Sequence, residues 1–397
     1  MKSKKIVADV ILNIISMTLP VVMLQLVFLP QMAGRLGDEQ FGLLVTITSL
    51  MSIVPANIGN VLNNIRLLFN DKYAEKDKGD FNTLMLLLEA ANIVIVFVLA
   101  IQYEGGIYLK SLMATIILSA IWFAQSYWIV GFRIELNYIG ILYANIWKIL
   151  GFAVGYFLFC VFGAWQSVYI FGYLFSLVFT LTKTKLWKEK PGISDMFIST
   201  GKQTLYLMFS RVLSSIITYA DKLLIYPLLG GTVVSTYYAA TIFGKIVSLG
   251  ISPVNSVALT YLAKIKKKRD NLFIQAITAG AILCAIGYVV CILISRPVLM
   301  FLYPQFADGA MKLIYITTGT AIMQTMIAIA DPFVLKFFEM KWQVLLNGCT
   351  AVVYIALSVI LLKGFGVTGF CYGVLITNVM KFTIMLLIYH RARSNIS

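Results

Sequence analysis

Twelve apolar stretches, each of roughly 18–30 residues, follow one another along this chain, and nothing else restricts its fold as strongly. A hydrocarbon layer about 30 Å thick is crossed by about 20 residues of helix. Inside it every backbone N–H and C=O must be bonded within the segment, so these stretches are expected to be helices rather than loops or open strands. They fall at 6–30, 41–65, 82–101, 111–130, 139–161, 164–182, 203–229, 233–262, 272–295, 313–330, 343–362 and 366–389. Of the 397 residues 60% are hydrophobic and 12% charged, and the mean hydropathy is +0.88. That charged fraction is about half that of a soluble domain. The expected fold class is an all-α polytopic membrane protein with twelve transmembrane helices.

The net charge of +15 raises the question of nucleic acid, and the placement of the basic residues answers it. With the N-terminus inside, 22 of the 32 Lys and Arg residues fall in inner segments and five in outer ones. The bias of Lys and Arg toward the cytoplasm puts both termini there. The Lys264–Arg269 cluster reads as a topological anchor on acidic lipid rather than a nucleic-acid patch. The five cysteines lie in or beside apolar runs without metal-ligand spacing, and packed free thiols are expected. Lys2, Lys4 and Lys5 precede an apolar run too long for a cleavable signal. The outer loops are short. The inner segment 183–202, with Lys-Glu-Lys-Pro-Gly at 188–192, reads as a linker between halves, with a short interfacial helix over 193–200.

The halves echo each other. Phe28-Leu29-Pro30 and Ile225-Tyr226-Pro227 close spans one and seven, Pro55-Ala56-Asn57 and Pro253-Val254-Asn255 lie in spans two and eight, and Lys110 matches Lys312. The offsets cluster near half the chain length, which points to duplication. Six helices per half is an even number, so the repeat is parallel, with its pseudo-twofold axis along the membrane normal. The expected division is an N-lobe at 1–182, the linker at 183–202 and a C-lobe at 203–397.

Seven ionisable residues lie well inside spans: Glu89, Lys148, Arg211, Asp221, Lys222, Lys245 and Lys381. Each costs about 2.5–3.5 kcal/mol at a helix centre. Snorkelling accounts for Lys222, Lys381 and even Arg211 near an interface, but Lys148 and Lys245 sit mid-span. A surplus of cations facing a wet cavity favours an anionic ligand such as a diphosphate. Asp221 reads either as a salt-bridge partner or, with Glu89, as an ion-coupling site. Pro55 and Pro253 bend their helices beside Asn57 and Asn255, which are hinge or cavity-lining candidates with Gln25; the competing reading is interhelical glue. A nucleotide-binding Gly-rich loop, a metal cluster and paired carboxylates within one span are all missing, and the single His390 is at the edge of the last span, so an enzyme is not expected.

Several short motifs carry a resemblance. They are Leu36-Gly37-Asp38-Glu39-Gln40-Phe41-Gly42, Tyr219-Ala220-Asp221-Lys222, Tyr237-Tyr238-Ala239-Ala240 after Leu229-Gly230, Leu302-Tyr303-Pro304-Gln305-Phe306-Ala307 and Gly364-Phe365-Gly366-Val367-Thr368-Gly369. In order and spacing the chain resembles O-antigen (Wzx-type) polysaccharide-biosynthesis flippases of the multidrug/oligosaccharidyl-lipid/polysaccharide (MOP) exporter superfamily. The resemblance implies two six-helix lobes that move undecaprenyl-diphosphate-linked oligosaccharide outward by alternating access, with Lys148, Arg211 and Lys245 meeting the diphosphate and Lys222 and Lys381 as further candidates. No cofactor is expected, and the residues leave coupling open between a proton gradient, a sodium gradient and the membrane potential; the expected form is a monomer whose partners are the lipid-linked oligosaccharide, membrane lipids and the glycosyltransferases or polymerase of the same pathway. A drug antiporter of the same fold is the competing function; that branch carries a mid-membrane carboxylate in span one, where this chain has only Asp9 near the inner edge, with Asn13 and Gln25 deeper.

Overall fold

A computed structural model of the chain describes residues 2–74, 77–104, 109–244, 270–337 and 340–391. All twelve apolar segments are helical over nearly all of their described length, and no strand occurs among the described residues. Eight helical stretches among the described residues are long and apolar enough to cross a membrane; one of these, Leu346–Tyr389, holds two of the expected spans.

By packing, the chain forms two compact units, Met1–Pro227 and Leu228–Ser397. The first begins with α1 (Lys2–Met23), which passes through a wide π turn, Leu24–Phe28, into α2 (Leu29–Leu36). Pro30 has no N–H for the Leu26 carbonyl, and just there the ladder slips a residue, the Leu29 N–H reaching Leu24 O. Gly37, at φ 74°, separates α2 from α3 (Asp38–Ile53). Pro55 then breaks the second span: Val54 leaves helical geometry and α4 (Pro55–Phe69) starts afresh. Asn57 Nδ2 donates to Ile53 O across the break at 2.9 Å, so this side chain braces the kink.

The rest of the unit is α5 (Asp80–Glu104), α6 (Leu109–Trp128), the short α7 (Val130–Ile134), α8 (Tyr138–Phe162), α9 (Gln166–Lys183) and α10 (Phe197–Leu229). Helix α8 is capped by Asn137, which accepts from Gly140 N at 2.8 Å, and ends at Gly163 in the left-handed region. Gly151 and Gly155, one turn apart on α8, face the backbone of α9: a Cβ on either would collide with the Phe171 or Ser167 carbonyl. This small-xxx-small spacing lets the two helices touch, and Ser167 Oγ donates to Gly155 O at 2.8 Å. The linker holds a 3₁₀ turn, Leu186–Lys188, but no separate helix over 193–200. Residues 191–196 are non-helical, and 197–200 form the first turn of α10. That helix, the seventh span, packs with the first unit, Tyr103 Oη donating to Leu223 O at 3.2 Å.

The second unit holds α11 (231–244), α12 (Asp270–Leu302), α13 (Ala307–Phe337) and α14 (Met340–Arg391). Phe273 stacks on Tyr389 at 3.8 Å between centroids, with Phe333 edge-on to Phe273 at 5.2 Å. Gly366, at φ 63° and ψ −152°, lies in a region that only glycine enters readily, and it turns α14 between spans eleven and twelve. Gly366→Ala is expected to cost about 1–3 kcal/mol, read as a lower melting temperature in detergent, whereas Gly364→Ala, with open space around its Cβ, is expected to be nearly neutral.

Candidate functional site

Lys148 is carried by α8 into the packing of α6 and α9. Its Nζ lies 4.4 Å from the centroid of the Tyr173 ring and donates to Gln125 Oε1 at 3.3 Å. Gln125 is held in turn, its Nε2 donating to Ser176 Oγ at 3.2 Å. Tyr173 stacks on Trp122 with centroids 4.2 Å apart. A desolvated cation–π contact is worth about 2 kcal/mol and a hydrogen bond from a charged donor about 1.5–3 kcal/mol. Together they offset the roughly 2.5–3.5 kcal/mol of holding the ammonium in a span. Both partners are neutral, and no carboxylate among the described residues pairs with Lys148. No acid among the described residues is therefore placed to cancel a charge on Lys148.

The other expected site residues each have their own local surroundings. Arg211 on α10 is exposed and makes no hydrogen bond or ion pair among the described residues. Lys222 is 4% exposed and is paired with its neighbour Asp221, whose Oδ1 also accepts the Lys222 N–H at 2.9 Å. Lys381 belongs to the second unit, where its Nζ donates to Asn347 Oδ1 at 3.0 Å. Glu89 on α5 has both carboxylate oxygens buried, with no hydrogen-bond donor among the described residues. Gln25 lies in the π turn of the first span. Lys245, Pro253 and Asn255 lie outside the described residues.

A second cation joins this part of the unit. By position alone Arg133 is a loop charge, yet the structure places it on α7, where its Nη1 donates to Asn63 and to Asn64 Oδ1, the latter at 3.0 Å. Asn63 also donates to the carbonyls of Ser126 and Tyr127, at 3.0 and 3.4 Å, which the break after α6 leaves without helical partners. The signals that point to the Lys148 surroundings are the pair Trp122 and Gln125 on one face of span four and the Tyr169, Tyr173, Ser176 stripe on span six. Asn63→Ala removes the brace from two carbonyls and a guanidinium at once. It is expected to destabilise the protein by about 1–3 kcal/mol, measured by thermal unfolding in detergent, with Asn60→Ala, at an exposed position, as the silent control.

No protein-family model matches the sequence, and no curated protein matches it. Solved structures do match the fold. The chain is similar to the lipid II flippase MurJ in an inward closed conformation, with TM-score 0.72 and 14% identity over 98% of this chain and 87% of that one. It is also similar to a multidrug resistance MATE family transporter of the MOP superfamily. The inward-facing form matches with TM-score 0.70 and 12% identity over 97% of this chain and 100% of that one. The outward-facing form matches with TM-score 0.63 and 13% identity over 98% and 95%. The chain thus has the all-helical fold that these membrane proteins share.

Proposed function

We propose that the protein is a flippase that moves undecaprenyl-diphosphate-linked oligosaccharide from the inner to the outer leaflet of the bacterial cytoplasmic membrane by alternating access, for synthesis of a cell-surface polysaccharide such as O-antigen, capsule or exopolysaccharide. The observation that carries this reading is the Lys148 ammonium, held inside the first unit by a neutral amide and an aromatic face without a carboxylate among the described residues. A cation so held attracts an anionic headgroup, and a diphosphate on a lipid is an anion that arrives from within the membrane. The similarity to a lipid flippase supports the same class of substrate.

The decisive assay uses the purified chain in vesicles containing an undecaprenyl-diphosphate-linked sugar. Lys148→Met is expected to lower the flipping rate about 10-fold or more, and Lys148→Arg to retain much of it. Lys148→Met protein that is folded, abundant and as fast as wild type defeats the cationic-site reading.

One observation favours a second function, an ion-coupled multidrug antiporter. A carboxylate buried without a donor among the described residues, as at Glu89, is suited to carrying a proton or pairing with a cation. The fold is equally that of MATE transporters. In this case cells expressing the protein extrude ethidium, Glu89→Gln abolishes the efflux, and Lys148→Met leaves it unchanged.

A further inference from the structure

The linker between α9 and α10 is fastened to the first unit by polar bonds rather than by apolar burial. Large apolar side chains along it and on the first turn of α10 point away: Trp187, Ile193 and Ile198 are 52%, 76% and 69% exposed. Its backbone is caught instead. Asn82 Nδ2, on the first turn of α5, donates to the carbonyls of Leu186 and Glu189 at 3.2 and 2.7 Å. Thr83 Oγ1, next along, donates to Gly192 O at 2.7 Å. Asp80 accepts from both the N–H and the hydroxyl of Ser194, at 2.8 and 2.6 Å.

Beneath these bonds lies a buried ion pair. Arg66, at the end of α4, is fully buried; its Nη2 meets Glu189 Oε1 at 2.6 Å and its Nη1 donates to Lys78 O at 3.0 Å. The guanidinium also lies 4.4 Å from the centroid of the Phe81 ring. The last fastening is on α10 itself, where the Thr200 hydroxyl hydrogen-bonds the Tyr73 phenol at 2.7 Å. Burial pushes that phenol up from its ordinary pKa, so it stays neutral and bonded at physiological pH.

We propose that Arg66 and Glu189 are positioning residues for transport: their pair fixes the linker on the first unit and so sets where α10, carrying Arg211 and the Asp221–Lys222 pair, begins. This rests on the flippase reading for its transport consequence alone. An Arg neutralised by an acid from the linker cannot serve as an anion site, unlike Lys148, and a buried polar pair of this kind specifies geometry more than it adds stability.

Hydrogen exchange on the full chain in lipid nanodiscs, combined with the flipping assay, tests the proposal. Glu189→Gln is expected to speed exchange across 186–200, which includes the first turn of α10, by about 10-fold while the rest of α4–α6 stays protected. It is expected to lower the maximal flipping rate about 10-fold with little change in the substrate concentration at half-maximal rate. Glu189→Asp, which keeps the charge, recovers part of both. Thr83→Val, a milder loss, shifts both the same way by about threefold. Unchanged exchange across 186–200 in Glu189→Gln overturns the clasp, and faster exchange with undiminished flipping overturns its role in transport. Wild-type protein that flips nothing overturns the proposed function, while the exchange result still decides the clasp.

Discussion

A polar group in hydrocarbon has no water to turn to, and the first unit is arranged around that constraint. Where proline or a helix end breaks the ladder, a side chain makes the repair. At Pro55 the repair is Asn57, whose amide reaches back to Ile53 O. At the end of α6 it is Asn63, which bonds two carbonyls of another helix. Hydroxyls within spans turn back onto their own backbone, as Thr46 does to Gly42 O and Thr180 to Ser176 O. Where the chain instead needs close contact, glycines on α8 remove the side chain altogether.

Charges follow the same constraint in two different ways. Arg66 with Glu189, and Lys222 with Asp221, are cancelled by an acid. Lys148 and Arg133 are oriented by amides that carry no charge. The difference has a chemical consequence. A paired cation is already satisfied, and an anion must displace the acid to reach it. A cation held by neutral groups is pre-oriented and keeps its full field for a ligand. On this ground Lys148 and Arg133, rather than the larger set of cations in the spans, are suited to meeting an anion.

Much of the fold is legible in the sequence because hydrocarbon imposes simple rules. Span length, the Pro55 break and the turn at Gly366 each follow from one local property of the chain. The site is legible only in part. Lys148 stands out as a charge in mid-span, but Gln125, Tyr173 and Trp122 lie on other helices, and an aromatic stripe on a span reads equally as ordinary packing. Arg66 is hidden for a different reason. Counting basic residues by side of the membrane treats every Lys and Arg near a span end as a loop charge, and nothing local distinguishes one that is fully buried against an acid 123 residues away. Of the interfacial helix expected over 193–200 only 197–200 is helical, as the first turn of α10, and just before it Asp80 accepts both the N–H and the hydroxyl of Ser194.

The placement of Lys148 also bears on how a carrier could be released. A ligand held equally well in two states shifts neither, however tightly it binds. Lys148, Gln125, Tyr173 and Ser176 all belong to the first unit, so this small site keeps its own partners whatever the second unit does. In the proposed flippase it would supply attraction without preference for either state. Preference must then come from groups whose surroundings change. In the proposed flippase the exposed Arg211 on α10 would be such a group, because no bond among the described residues fixes its side chain within the unit. A point-charge lysine to attract and a separate, unbraced arginine to discriminate would divide the work between binding the diphosphate and letting it go.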